Sequence, residues 1–508
     1  MFAKICGATT LGLNGILITV EVDIANGLPA FEIVGLPETA VKESRERVRA
    51  AIKNSGYEFP AKRITINLAP ADLRKDGSGL DLPIAMGILA ASGFIDREAC
   101  ASSLLIGELS LEGKLRGVSG ILPIAAQAVQ QGFASILLAP ANAAEALLVG
   151  KLAVYTAVTL EEAVLHAAGR RPLPCAQMPA AEPQPQPTEE DFADIQGQTV
   201  AKRAVEIAAA GGHNALMVGP PGSGKTMLAR RLPSILPRLT DEEALEVSKI
   251  YSVVGQFNQG ASGLIYSRPF RNPHHTISDA GMVGGGRIPR PGEVTLSHHG
   301  VLFLDELPEF PRQVLEVLRQ PLEDGQVNIA RVNASLTYPA RFMLIASMNP
   351  CPCGWLGDGL HDCVCTPADI RRYVKKISGP LLDRIDLHVH VPRLEYQDIV
   401  SSRPQEKSAS IRERVEAARA RQRERLRCFG LFANSQMKHK HIKQTCPLTP
   451  QAQALLQQAF AKLNLSARGY DRIIKVARTI ADLDGEIAIA DRHVAEAVQY
   501  RSQLQGLC

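Results

Sequence analysis

The sequence predicts an α/β protein: a nucleotide-binding core, a helical bundle behind it and a separate α+β domain in front. Three observations predict this. Gly219-Pro220-Pro221-Gly222-Ser223-Gly224-Lys225-Thr226 reads G-x-x-x-x-G-K-T between an apolar run, Ala215 to Val218, and a helix-capable segment, Met227 to Leu232. Strand, glycine-rich loop and helix is the context a phosphate-binding loop requires. Further on, the apolar run Val301 to Leu304 ends in two acids, Asp305 and Glu306. The first third of the chain mixes β-like runs with amphipathic helices, and a proline-rich stretch divides it from the rest.

Composition bounds the reading. At 508 residues the chain holds two to four domains. Aromatic residues make up 5% with a single tryptophan, so base-stacking platforms do not dominate any nucleic-acid site. Net charge is +4, which leaves DNA binding to local basic patches. No apolar run is long enough to span a membrane, and Met1 to Val20 is neither a signal nor a transit peptide. The default expectation is a cytoplasmic location. Four of ten cysteines, Cys351, Cys353, Cys363 and Cys365, crowd together, which in a reducing compartment suggests metal before disulfide.

Residues 1–170 form the α+β domain. Ile16 to Val22, Phe31 to Gly35 and Arg63 to Leu68 read as strands, and Glu38 to Ser55 and Leu82 to Gly93 as helices. Between Arg45 and Lys75 lie Arg47, Arg49, Lys53, Lys62, Arg63 and Arg74, either a solvated face or a DNA-backbone track. The wording Gly35-Leu36-Pro37, Lys75 to Gly79, Gly107 to Gly113 and Val118-Ser119-Gly120 resembles the proteolytic domain of Lon-type proteases, a ribosomal-S5-domain-2-like fold. That resemblance implies a serine nucleophile and a lysine base. Gly79 and Leu122 stand at those two positions, so a non-proteolytic, oligomer-forming copy is expected, with Ser78 acting beside Lys75 as the remaining alternative. Residues 171–190, with Pro183, Pro185 and Pro187, read as an extended linker.

Residues 191–400 are the expected ATPase core, with a helix from Thr199 to Ala210 leading to the phosphate loop. The loop's backbone amides cradle phosphate, Lys225 reaches the outer phosphates and Thr226 places its hydroxyl on Mg²⁺. Asp305 is the second Mg²⁺ partner, and Glu306 is placed to deprotonate the attacking water. A third apolar run, Phe342 to Met348, ends in Asn349, placed for the γ-phosphate or that water. Leu381-Leu382-Asp383-Arg384-Ile385-Asp386 supplies an arginine at a helix-to-strand junction, able to neutralise a transferring phosphoryl group. Four thiolates in two C-x-C pairs suit tetrahedral Zn²⁺, with His361 a substitute ligand and four reduced cysteines the alternative.

Two insertions interrupt the core. Gln256 to Glu293 is rich in glycine and histidine and carries Arg287 and Arg290; Gln326 to Arg341 reads as a β-hairpin around Val332-Asn333-Ala334 and carries Arg331. The adjacent His274 and His275 are expected to point to opposite faces, as neighbours in a strand do. Residues 401–445 hold a helix, Ile411 to Cys428, with seven arginines: either a salt-bridged solvated face or a DNA-facing one, helped by Lys438, Lys440 and Lys443. Residues 446–508 pattern as three helices, Thr449 to Leu463, Ser466 to Leu483 and Ala490 to Gln505.

The loop, the acid pair, Asn349 and Arg384 together resemble an AAA+ ATPase. Asn272-Pro273-His274-His275, Gly284-Gly285-Gly286, Gly300 to Leu307, Asn349-Pro350-Cys351-Pro352-Cys353-Gly354 and Ser378 to Val389 resemble, more narrowly, the magnesium-chelatase-like ATPases of the ComM (YifB) type. The resemblance implies ATP and Mg²⁺ as cofactors, a ring that is usually a hexamer, a helical lid over residues 446–508, and pore-facing insertions. It implies a helicase that drives branch migration on single-stranded and branched DNA while incoming DNA is integrated during natural transformation. Arg384 would then serve a neighbouring subunit's nucleotide, and Arg468, with Arg472 one turn on, would reach the nucleotide from the lid. The competing readings are a metal-chelatase motor subunit and an ATP-dependent protease.

Overall fold

The computed structural model describes all residues except 76, 179–189, 258–262, 287–288, 332–333, 395–404, 464 and 503–508. Most of the expected linker, Arg287, the hairpin tip and the end of the last helix therefore lie outside the described residues, as does the Arg331 side chain. The chain forms two compact units: Met1–Pro185 with Asp241–Ile265, and Gln186–Thr240 with Tyr266–Cys508.

The first unit is built on a mixed sheet of seven strands. Phe2–Leu11 pairs antiparallel with Asn14–Ala25, which pairs antiparallel with Arg63–Ala69. Ala30–Val34 lies parallel at one edge, while Ser103–Leu105, Ser135–Leu138 and Ala153–Thr156 extend the other edge in parallel. Helix Asp81–Ala91 is buried along its whole length, which explains its unbroken apolar sequence. Residues 241–265 follow the phosphate-loop helix in sequence yet belong to this unit. Their helix, Asp241–Val253, is fastened through Ser252, whose Oγ donates to the Glu145 carboxylate and whose carbonyl accepts from Gly120 N at 2.9 Å.

The second unit carries a five-stranded, all-parallel sheet. Its strands, numbered here in chain order, are β1 (Ala215–Val218), β2 (Phe270–Arg271), β3 (Val301–Leu304), β4 (Met343–Met348) and β5 (Leu387–His390). They lie side by side in the order β2-β3-β4-β1-β5. The residues of β1, β3 and β4 are all buried, as expected of parallel strands covered on both faces. That is why these strands read as unbroken apolar runs instead of alternating ones.

Because all five strands point the same way, the residues that follow β1, β3 and β4 gather at one end of the sheet. The residues that precede β5 gather at the other end. Behind the sheet stand Thr199–Gly211 and the arginine-rich Ser408–Leu426, followed by the C-terminal helices Pro450–Lys462, Ala467–Asp484 and Asp491–Ser502. Their apolar faces join the sheet in one core through Ile207, Val415, Ile473, Ile480 and Val494. The hairpin Gln326–Arg331 and Ala334–Pro339 pairs in register from Gln326 opposite Pro339 to Arg331 opposite Ala334.

Candidate nucleotide-binding site

The loop after β1 turns on glycine chemistry. Gly222 and Gly224 have φ of +75° and +90°, and Lys225 opens the helix Lys225–Ile235 directly afterwards. At Gly219 the constraint is space: a Cβ there would lie 2.1 Å from the Val391 carbonyl just beyond β5. Gln198 braces the loop from outside, donating through Nε2 to the carbonyls of Ser223 (3.1 Å) and Pro392 (2.6 Å).

Lys225 lies inside this loop. Its ammonium donates to the carbonyls of Gly219 (2.7 Å) and Pro220 (2.8 Å) and lies 3.4 Å from both Ser223 Oγ and Asn349 Oδ1. Burial pushes its pKa down to about 8, against the pull of Asp305 and Glu306. Thr226 Oγ1 donates to Asp305 Oδ2 at 2.9 Å. Asp305 Oδ1 accepts from Ser347 Oγ and from the Glu306 amide at 3.2 Å. A hydroxyl and a carboxylate in contact beside a phosphate loop form the hard, all-oxygen donor set that Mg²⁺ takes.

Lys225, Thr226, Asp305, Glu306 and Asn349 thus assemble at one end of the sheet from the ends of three strands. Arg384 does not join them. It precedes β5, whose Leu387 pairs with Ala215 and His390 with Val218, so a strand's length, about 13 Å, separates its level from that of the loop. There Arg384 pairs with Glu323, donates to the Pro380 carbonyl at 2.7 Å, and has its own carbonyl held by Asn214 Nδ2 at 2.9 Å.

Arg468 is exposed at the start of helix Ala467–Asp484 and acts, with Arg384 and Arg319, on the same Glu323, whose pKa they hold down. Arg472 is committed elsewhere, 3.5 Å from Asp386 Oδ1. Asp386 in turn meets His213 Nδ1 at 3.1 Å, and His213 Nε2 lies 2.8 Å from Thr479 Oγ1. Arg501 donates to the Ile385 carbonyl and pairs with Asp383. The helices of the C-terminal bundle therefore grip the turn that carries Arg384.

The four cysteines converge. All their sulfurs lie within 4.8 Å of one another, with Cys351–Cys353 at 3.3 Å and Cys363 at 3.7 Å from each of those two. Zn–S bonds of about 2.3 Å in a tetrahedron give S···S separations of about 3.8 Å, whereas a disulfide needs about 2.0 Å. The donor set and spacing fit Zn²⁺. An amide from Trp355 pulls the Cys353 thiol down to about 6. His361 is not a member of this group: its Nδ1 pairs with Asp358 at 2.8 Å and its ring lies over Trp355. The loop leans on the phosphate loop, since a Cβ on Gly354 would lie 2.8 Å from the Pro221 ring.

In the first unit, Lys75 is fully buried, its ammonium held by the carbonyls of Gly35 (3.0 Å) and Pro70. Ser78 donates to Glu108 instead. Gly79 faces Ile106 and Val118, and Leu122 is buried apolar packing. Arg47 pairs with the buried Asp81, Arg74 with Glu38 and Arg63 with Glu32. On the arginine-rich helix, Arg414 pairs with Glu206 and Glu406, Arg419 with the Ala209 carbonyl, Arg421 with the Asp482 carbonyl, and Arg425 with Asp482 and Asn434.

Comparison with known proteins matches three family models: magnesium chelatase, subunit ChlI, over residues 191–399; subunit ChlI of Mg-chelatase over 20–142; and the ChlI C-terminal model over 405–501. The competence protein ComM of Haemophilus influenzae is 46% identical over 99% of this chain and 98% of its own length. The chain belongs to the ComM/YifB family of magnesium-chelatase-like ATPases. The YifB protein of Salmonella typhimurium is 47% identical over 97% of this chain and 95% of its own length. A magnesium-chelatase 67 kDa subunit of Chlorobaculum parvum matches far less, 28% over 31% of this chain. As a ComM/YifB-family ATPase, the chain combines a parallel-sheet AAA domain with a C-terminal helical region and an N-terminal mixed α/β domain. No helix among its described residues is long and apolar enough to cross a membrane.

Sequence reading missed the residues that hold this ATPase site from behind. Ser347, Asn214 and Gln198 act through contacts distant in sequence. Tyr373, from the helix Pro367–Val374, reaches the backbone of Asn349, and burial pushes its phenol up to about 12. Only Asn214 carries a local signal, a polar residue immediately ahead of a buried apolar run.

Proposed function

We propose that the chain is an ATP-driven, ring-forming DNA motor that promotes branch migration, and so the integration of incoming single-stranded DNA by homologous recombination during natural transformation. The observation that carries this is its near full-length, 46% identity with competence protein ComM. In this reading the amides of Gly219 to Gly224 cradle the phosphates of ATP and Lys225 holds the outer ones. Thr226 and Asp305 would hold Mg²⁺, which neutralises phosphate charge when bound. Glu306 takes a proton from the attacking water, and Asn349 steadies that water or the γ-phosphate.

Arg384 stands at the wrong end of the sheet for its own nucleotide, which supports a role at a neighbouring subunit's site. Arg468, beside the same Glu323, belongs with it on that face, in place of the own-subunit contact its lid position suggested. A closed ring, a hexamer by family likeness, follows if each nucleotide needs a neighbour's arginine. The first unit serves as a Lon-protease-like, non-proteolytic module, and the working location is the cytoplasm.

DNA contacts are assigned to the hairpin Gln326–Pro339, to the exposed Arg290 and to the arginine-rich helix. On that helix only Arg412, Arg423 and Arg427 remain as candidates, because the other four arginines have the internal partners named above. Zn²⁺ held by Cys351, Cys353, Cys363 and Cys365 would clip the loop that leans on Pro221.

The magnesium-chelatase names of the matching models favour a second reading, a motor that remodels a protein partner. Steady-state ATP hydrolysis with and without single-stranded DNA separates the two. Stimulation by DNA is expected; hydrolysis indifferent to DNA but raised by a chelatase partner would replace the DNA motor with the remodelling one. The protease reading loses its base, since the Lys75 ammonium is spent on two carbonyls.

A further inference from the structure

His275 faces Glu306. Beyond β2 the chain passes Asn272 and Pro273 and brings His275 Nδ1 to 4.0 Å from Glu306 Oε2. The two adjacent histidines do not point to opposite faces, because they follow β2 instead of lying in it. Their rings lie together, centroids 4.1 Å apart and tilted by 34°. His274 is itself anchored, its Nδ1 2.9 Å from Thr276 Oγ1. On its other side the His275 ring meets Phe310 edge-on, at 6.4 Å and 81°. The imidazole is thus held from two directions while one nitrogen is turned to the carboxylate.

Glu306 is fixed differently. Its backbone sits at φ +54°, a conformation that costs a non-glycine residue energy, and its amide donates to Asp305 Oδ1 and Ser347 Oγ. Its side chain is 58% exposed, so the backbone aims the carboxylate but does not confine it.

We infer that His275 is a positioning residue for Glu306, confining its exposed carboxylate from a ring that is itself held in place. This rests on Glu306 as the base. A separation of 4.0 Å is too long for a direct hydrogen bond and suits an ion pair or one bridging water. Among the described residues, Lys225, Tyr373 and the adjoining Asp305 also act around Glu306. Lys225 is occupied by the phosphate loop, and Tyr373 stays neutral up to high pH. His275 is the partner whose ring nitrogen faces the Glu306 carboxylate.

The test is steady-state hydrolysis by the full chain, with KM and kcat separated. In His275→Ala, kcat is expected to fall about tenfold, with KM for ATP within about twofold of the parent. His275→Asn, which can still donate to the carboxylate, should recover part of kcat. An unchanged kcat in His275→Ala, alongside a dead Glu306→Gln, would overturn the inference and leave the base in place. A raised KM with unchanged kcat would also overturn it, because His275 would then bind nucleotide instead of steadying the base. Normal turnover in Glu306→Gln would remove the base itself.

Discussion

In the proposed ATP site, Lys225 is the residue on which nucleotide affinity is expected to turn. The same burial that seats its ammonium under the loop depresses its pKa to about 8, with Asp305 and Glu306 opposing the shift. Phosphate supplies negative charge and favours the ammonium, so binding above pH 8 must take up a proton, whereas below it the lysine is already charged. KM for ATP should therefore be flat below about pH 8 and rise about tenfold per unit above it, measured by titrating ATP at fixed free Mg²⁺. Lys225→Arg should flatten that rise, since arginine stays protonated there, even if its affinity is poorer. A wild-type KM that is flat through pH 9.5 would mean that Lys225 is charged throughout. Glu306→Gln should bind ATP with little change while turnover drops at least about a hundredfold; ordinary turnover would take the base role from it. The sequence showed Lys225, Asp305, Glu306 and Asn349 because each ends or follows a buried apolar strand, and strand ends are where parallel sheets place ligands. Ser347 and His275 were not legible. Their importance comes from what the fold brings beside them, Asp305 and Glu306, and neither partner is near in sequence.

At the scale of elements, a loop braces the candidate nucleotide site at one end of the sheet, a turn carries Arg384 at the other, and each has its own support. The cysteine loop reaches the phosphate loop through Gly354 and Pro221, and Gly354 has φ +87°, so both its backbone and its contact need glycine. Metal analysis of anaerobically purified protein should find about one zinc per chain. Cys363→Ser should lose it and raise KM for ATP several-fold, with a smaller effect on kcat; protein without zinc that retains full ATP affinity would detach the loop from the nucleotide. The turn carrying Arg384, at the other end of the sheet, is supported separately. Asn214 holds it from the base of β1, and Asp386 and Asp383 hold it from the C-terminal helices through Arg472 and Arg501. The strands and helices here were legible from period and composition: β1 runs Ala215–Val218 as read, and the second C-terminal helix, read as Ser466 to Leu483, runs Ala467–Asp484. The role of the arginine-rich helix was not. Its charge density reads the same whether its arginines face DNA or bind Glu206, Asp482 and backbone carbonyls inside the unit.

The whole molecule adds a requirement that no single element meets. Opposite ends of one parallel sheet carry the phosphate loop and Arg384, so in the proposed ring a complete site would take two copies of the chain. Arg384→Ala should assemble yet hydrolyse ATP poorly, and so should Lys225→Ala for a different reason. Mixed, the two should recover part of the lost activity, because some interfaces then pair an intact loop with an intact arginine; recovery absent at every ratio would place Arg384 outside the neighbour's site. Sequence pattern revealed the α+β domain, the core and the helical bundle. It could not show that residues 241–265 leave the core to join the first unit, since their helical pattern is ordinary and only tertiary contacts such as Ser252 to Glu145 reveal their partner.

The central claim is that ATP hydrolysis at this composite site moves DNA. It is tested most directly by following a labelled strand in three-stranded and forked DNA with purified full-length protein, ATP and Mg²⁺. Strand exchange that requires ATP and is lost in Glu306→Gln is the predicted result. Active hydrolysis with the labelled strand left in place on both substrates would contradict it.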